Sequence, residues 1–405
     1  MTAMIELIKG GGVTSPKGFT AGATHAGIKT AGEGTADLGL LVSDVPATVA
    51  GVFTSNKVVS PSVVVTRQRV AGGQARAVVA NSGCANCCVG GQGLRDAEEM
   101  AALAAGHIGV VAEEVLVCST GMIGVELPMA LVRQNLGNIQ LGDESGTDFA
   151  GAILTTDTRQ KEIAVSLEVS GTKIRIGGTA KGAGMIHPNM ATMLAFVATD
   201  ARVEKLFLDR ALHEAVDVSF NMIDIDGDQS TNDTALVFAN GKAGGDAITV
   251  GSAGADVFQE GLTYVCTALA KELVKDAEGA QRLIEVEVVG AQTVDDARCA
   301  AREIASSLLV KAMVHGRDPN WGRLMMALGK SGIEFDESRV DIFINDIHIA
   351  HEGIAIPYLK DAVISAMSVP EVRFRVSVDA GAAVATAWGC DLTEEYVTLN
   401  SAYST

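Results

Sequence analysis

One run constrains this chain more than any other: Lys181-Gly-Ala-Gly-Met-Ile-His-Pro-Asn-Met-Ala191-Thr192-Met-Leu-Ala-Phe-Val-Ala-Thr199-Asp200. Its small residues let backbone pass close to backbone. Pro188 and Asn189 mark a turn, and an apolar, strand-like stretch opens at Thr192. The run lies near the middle of the 405 residues, with strand patterning on both sides, so the fold must lead a constrained turn into a buried strand at its centre. A threonine at such a junction can attack the Ala191 carbonyl with its own hydroxyl. Cleavage there leaves Thr192 with a free α-amine, whose ordinary pKa of about 8 lets it serve as base for the same hydroxyl. Residue types alone favour a plainer reading, a core strand after a glycine turn.

The composition says what can surround that strand. Hydrophobic residues make up 48% and aromatic ones only 4%, so the core must be built from Ala, Val, Ile and Leu. The length is large for one core and points to two domains or two large layers. A net charge of −18 argues against nucleic acid or an anionic membrane as partner. Any acidic substrate would need a locally basic site. No charge-free stretch is long enough to span a bilayer, and residues 1–17 lack a signal pattern. The chain reads as cytoplasmic, and its seven cysteines, an odd number, suit reduced thiols there.

Strand and helix signals alternate. Ala75–Ala80, Val115–Cys118 and Leu283–Val289 read as strands, as do Ile163–Val169 and Thr172–Ile176, joined through Ser170-Gly171 as a hairpin. Ile342–Ile349, with a turn at Asn345-Asp346, and Val372–Val378 read likewise. Leu94–Ala105, Val203–Val218 and Ala255–Val274 read as helices, and Val294–Val314 as one long amphipathic helix. Hairpins interspersed with helices suggest an α+β layered sandwich.

The run through Thr192 resembles the self-cleavage signature of the ornithine acetyltransferases, the glutamate N-acetyltransferases of arginine biosynthesis. Further stretches match in order: Asn81-Ser-Gly-Cys-Ala-Asn86, Ser119-Thr-Gly-Met-Ile-Gly124, Leu154-Thr-Thr-Asp-Thr158 and Ser230-Thr-Asn-Asp-Thr234. Asp276-Ala-Glu-Gly-Ala280, His315-Gly-Arg-Asp-Pro-Asn-Trp-Gly-Arg323 and Tyr396-Val-Thr-Leu-Asn400 follow. The resemblance implies an α/β/β/α fold with a smaller C-terminal α/β domain, assembled from two self-cleaved fragments, residues 1–191 and 192–405. It implies acetyl transfer from N2-acetylornithine to glutamate, through Thr192 and without cofactor or metal. Acetyl-CoA as an additional donor stays open. Thr120 and Gly121 match the oxyanion hole, and Thr155, Lys181, Thr192, Glu278, Asn400 and Thr405 the substrate contacts. Thr156 and Thr158 are close alternatives to Thr155. The assembly implied is a heterotetramer of two fragments of each kind.

The residues give some of these roles a physical reason. Ser119-Thr120-Gly121 follows a strand end, where amides and the Thr120 hydroxyl can meet a developing oxyanion, although an ordinary turn reads the same way. Lys181 offers the cation that an α-carboxylate needs. Glu278, read as ending a helix, is placed where the macrodipole disfavours an acid, which suggests a ligand ammonium. Asp224–Ser230 echoes a calcium loop, but Gln229 and Ala235 stand where Gly and Glu belong, so it reads as a polar loop near the site. Cys84, Cys87 and Cys88 lack a second ligand pair for zinc. His315 and Arg323 read as a structural turn with a salt bridge. His348 and His351 read as scattered, and Gly10-Gly-Gly12 lacks a phosphate loop's lysine. Two rivals remain, an amidase with water as acceptor and a non-catalytic binding protein.

Overall fold

The computed structural model describes residues 4–29, 34–187 and 193–402. Among them a nine-stranded sheet forms the centre. Its path runs Glu6–Leu7, Lys161–Val169, Thr172–Lys181, Leu194–Thr199, Thr234–Ala239, Leu38–Phe53, Gln74–Asn81 and Val115–Ser119, with Phe19–Thr24 also pairing with Leu38–Phe53. The expected hairpin turns at Ser170 (φ +49°) and Gly171 (φ +80°), both left-handed as a two-residue hairpin turn requires. Its second strand continues beyond Ile176 to Lys181, and from Gly177 onward every residue is buried, so alternation fades.

Leu38–Phe53 bends the sheet into two layers. Its register slips between Val42 and Ala47, around Pro46, which has no N–H to give the ladder. Residues 38–43 pair with Phe19–Thr24, and residues 48–53 pair with Thr234–Ala239. The layers meet face to face: Leu41, Val78 and Leu116 share one buried cluster with Leu194, Phe196 and Phe238. The alternate residues face helices. Val197 and Val237 pack with Leu208 of helix Lys205–Asp217 and Leu262 of helix Ala255–Lys275. Leu40, Val79 and Val117 pack with Met100 and Ala104 of helix Gly91–Ile108. The result is the α/β/β/α sandwich.

A smaller sheet of seven strands comes mainly from the C-terminal part, with Glu371–Ser377, Leu283–Ala291 and Ala383–Cys390 as neighbours near its middle. Its buried residues belong to the same cluster as the helix-covered face of the large sheet, so the two units share a core. Asn345 and Asp346 make the expected turn, at φ +42° and +63°.

Two expectations are corrected. Val294–Val314 is two helices, Val294–Ser306 and Leu308–Gly316, broken where Ser307 is extended. The Ser306 hydroxyl bonds back to Glu303 O at 3.3 Å, the competition with helix that serine brings. Nor does Glu278 end a helix. Ala255–Lys275 is capped by Asp276, and the ammonium of Lys161, 2.5 Å away, compensates that acid.

Candidate active site

Strand Thr172–Lys181 pairs antiparallel with Leu194–Thr199, Lys181 opposite Leu194. Segments on either side of residues 188–192 are thus hydrogen-bonded neighbours, and the groups that line the cleft beside Lys181 come from several elements. The turn after strand Val115–Ser119 supplies Thr120 and Gly121. Gly121 has φ +128°, and a Cβ there would sit 2.3 Å from the Gly83 carbonyl carbon, so only glycine fits. The Thr120 N–H is spent on Asn81 O at 3.0 Å. The expectation that Thr120 offers an amide as well as a hydroxyl is therefore corrected. What remains is its hydroxyl and the Gly121 N–H, which makes no backbone hydrogen bond among the described residues. Asn232 clamps the turn, its Nδ2 donating to Ser119 O at 2.8 Å and Ala85 O at 2.7 Å.

Lys181 is 1% exposed. Its Nζ donates to Thr120 Oγ1 at 3.0 Å and Thr155 Oγ1 at 2.8 Å. Because Thr120 Oγ1 accepts from a cation, its own proton is free to point at another oxygen. The geometry also separates the neighbouring threonines. Thr155 meets Lys181, Thr156 lines the same cleft, and Thr158 turns to Asp276. Burial pushes the Lys181 ammonium below the usual lysine range, with Asp157 pulling the other way.

Asp157 is the hub behind this wall. Its side chain is fully buried and accepts from Gly182 N at 2.7 Å, Thr155 N at 3.1 Å and Lys161 Nζ at 2.6 Å. Burial alone would raise its carboxyl, but the Lys181 and Lys161 ammoniums and these hydrogen bonds hold it at about 2. Lys161 bridges onward to Asp276.

These groups open onto a cleft of about 270 Å³. A second set lines it. Gly184 leaves room for Glu278, whose Oε2 would lie 2.7 Å from any Cβ there. Asn400 Nδ2 donates to Glu278 Oε2 at 2.7 Å. Asp226 accepts from Met185 N at 2.5 Å, Ile186 N at 2.9 Å and the Tyr396 hydroxyl at 3.3 Å. The loop from Asp224 is thus a polar wall of the site, as expected. Thr120, Gly121, Thr155, Lys181, Glu278 and Asn400 all line one cleft. Ala191, Thr192 and Thr405 lie outside the described residues. Met193, next to Thr192, is buried and gives its N–H to Asp233 Oδ1 at 2.9 Å.

With this geometry in place, the similarity to known proteins is decisive. The ArgJ family matches residues 20–405. The chain belongs to the ArgJ family. It is therefore an enzyme, of the acyltransferase class. The "Arginine biosynthesis bifunctional protein ArgJ" of Symbiobacterium thermophilum is 51% identical over 397 residues, 98% of this chain and 99% of that one. The protein of the same name from Dehalococcoides mccartyi is 45% identical over 405 residues, 100% of both. A crystal structure of the Bacillus halodurans "Arginine biosynthesis bifunctional protein argJ" is 38% identical with a TM-score of 0.52, covering 52% of this chain and 100% of that one.

Asp157, Asn232, Asp226 and Tyr396 were not singled out by residue type. Asp157, Asn232 and Tyr396 each lie inside a stretch that carries the family resemblance, and Asp226 lies in the polar loop that echoes a calcium site; those were the available signals. Away from the cleft, His348 and His351 are not scattered: both approach Asp341, His351 Nδ1 at 2.9 Å and His348 Nε2 at 3.9 Å. Arg323 makes no salt bridge among the described residues; it donates to Leu309 O at 2.9 Å. No described helix is long and apolar enough to cross a membrane.

Proposed function

We propose that this ArgJ-family enzyme cuts itself between Ala191 and Thr192 and then moves the acetyl group of N2-acetylornithine to glutamate. The observation that carries the reading is the Lys181–Thr120–Thr155 cluster beside Gly121, set at the strand pair that flanks Thr192. The α-amine of Thr192 takes its hydroxyl proton as the oxygen attacks the acetyl carbonyl. The Thr120 hydroxyl and Gly121 N–H face the developing oxyanion. Ornithine leaves with the proton, glutamate attacks the acetyl-threonine, and the cycle closes as a ping-pong reaction. Lys181 has donated two of its three N–H groups to hydroxyls; the third is available to an α-carboxylate. Glu278 receives the ornithine side-chain ammonium, with Asn400 and Thr405 completing the substrate contacts.

Several properties of relatives support the finer points. Their name, bifunctional, supports acetyl-CoA as a second donor. The Bacillus halodurans chain, matched along its whole length by 52% of this one, is the size of one piece of a chain cut near its middle. Fragments 1–191 and 192–405 stay in one fold, and two such pairs form a heterotetramer in the cytoplasm.

The test is an acetyl-transfer assay with acetylornithine and acetyl-CoA, each against glutamate, together with intact mass. Two pieces that begin at Met1 and Thr192, and a mass gain of one acetyl group on the second piece when glutamate is withheld, are expected. An active enzyme consisting only of uncut chain would falsify the reading.

A further inference from the structure

The acetyl-transfer scheme gives no work to the buried acid Asp233. Asp233 is 0% exposed and immediately precedes strand Thr234–Ala239, whose first residue is in parallel register with Leu194. That register brings Asp233 beside the start of strand Leu194–Thr199. Its Oδ1 accepts the Met193 N–H at 2.9 Å. Its Oδ2 is buried and has no hydrogen-bond partner among the described residues. An orphaned oxygen in full burial is costly and calls for a reason.

The covalent structure supplies one. Met193 N is bonded to the Thr192 carbonyl carbon, and from that carbon only Cα and Cβ separate it from the Thr192 hydroxyl. The scheme above also lacks a part. Its base is the Thr192 α-amine, which does not exist until the Ala191–Thr192 bond is broken. The precursor must use another base for its first reaction. Lys181, a buried cation whose charge acts on Asp233, has two of its N–H groups bound to threonine hydroxyls. Burial pushes the Asp233 carboxyl well above the usual range, with the Met193 N–H and Lys181 opposing. Once ionised, such a carboxylate is a stronger base than an ordinary aspartate.

We propose that Asp233 carries the proton in the self-cleavage of the precursor, an inference that rests on Thr192 cutting its own chain. The Asp233 carboxylate takes the Thr192 hydroxyl proton as that oxygen bonds to the Ala191 carbonyl carbon. The carbon–nitrogen bond then breaks, its electron pair stays on the Thr192 nitrogen, and Asp233 returns the proton there. The ester left between Ala191 and Thr192 is hydrolysed by water to the Ala191 carboxylate and the free hydroxyl.

The test follows freshly translated full-length precursor by intact mass for the parent, Thr192→Ala, Asp233→Asn and Asp233→Ala. Cutting in Asp233→Asn should slow by about 100-fold or more. Its circular dichroism and melting should match those of uncut Thr192→Ala, because an asparagine oxygen can still accept the Met193 N–H. Formate should speed the cutting of Asp233→Ala and leave the parent unchanged, a response that a packing role cannot produce. Asp233→Asn cut at the parental rate, an Asp233→Asn chain that loses the fold, or Asp233→Ala indifferent to formate overturns the inference and leaves Thr192 as nucleophile. A Thr192→Ala chain that is still cut overturns the underlying reading instead.

Discussion

The two sets of groups lining the cleft are held in place by different physics. Thr120, Gly121 and Lys181 belong to the large sheet, and their supports are buried: Asn232 under the turn, Asp157 behind the lysine loop, Lys161 behind Asp157. Glu278 and Asn400 hold chiefly each other, and the helix that carries Asn400, Glu394–Ala402, buries none of its residues. In the proposed reaction, geometry therefore belongs to the sheet, and discrimination between ligands to the softer C-terminal wall. A group fixed by several buried partners loses little entropy when the transition state forms. An exposed pair contributes less and adapts more.

The comparison breaks if the sheet wall proves dispensable. Thr120→Ala should lower kcat by about 100- to 1000-fold with little change in KM, because an oxyanion donor acts mainly in the transition state. Steady-state kinetics on material shown by mass to be cut would decide it, and a raised KM with normal kcat would remove Thr120 from the oxyanion hole.

The next effect concerns the buried support. Asp157 is held at about 2 in the folded protein, against about 4 in the unfolded chain. A carboxyl whose folded value is depressed adds stability above its unfolded value and loses it as pH falls through the folded one. About 2–3 kcal/mol should therefore fade between pH 4 and pH 2. Urea unfolding of the parent and Asp157→Asn across that window checks it. The variant should be weaker at neutral pH, and the gap should close on acidification; a gap independent of pH would rule out the charge as its source.

Lys181→Met should cost about 10- to 150-fold in kcat/KM, for a lost charge-assisted hydrogen bond of about 1.5–3 kcal/mol. Since Lys181 also orients Thr120, the loss should appear in kcat as well as KM. Normal kinetics in a cut Lys181→Met enzyme would exclude the lysine from the site.

The smallest effects belong to the C-terminal wall. Glu278→Gln should slow the acetylornithine half-reaction by about 10-fold and the glutamate half-reaction less, in keeping with one ion pair of about 1.4 kcal/mol. Asn400→Ala should change either by less than about 5-fold, an exposed contact of under ~1 kcal/mol. Separate measurement of the half-reactions is the check, and equal losses for donor and acceptor in Glu278→Gln would end the ammonium role.

Legibility from the sequence follows the same division. The hairpins at Ser170-Gly171 and Asn345-Asp346 were readable because left-handed turn residues stand between alternating strands. The glycine run before Thr192 carried the family resemblance, whereas its residue types alone favoured a plain turn and strand. Leu38–Phe53 was not: it changes layer at Pro46 while most of its side chains stay buried, so no period survives to mark it. Lys161 and Asp157 look like surface charges, and only the sheet's layering shows that they neutralise each other in the interior. The break at Ser307 was hidden because the apolar spacing continues through it.

The order of the strands has a further consequence. Leu194–Thr199 and Thr234–Ala239 lie between Thr172–Lys181 and Leu38–Phe53, so material from after the proposed cut is sandwiched by material from before it. Neither piece alone owns a closed run of the sheet, and each would present bare strand edges to water. On that proposal the intact chain is the folding unit, and the cut is a step it cannot retrace. Denatured, the mature enzyme must be rebuilt by two chains finding each other, at a rate that rises with their concentration. Uncut Thr192→Ala should refold by a first-order process, so its recovery from urea should outrun that of the mature enzyme most clearly in dilute solution. Lifetime in the mature protein is then set by how slowly it opens.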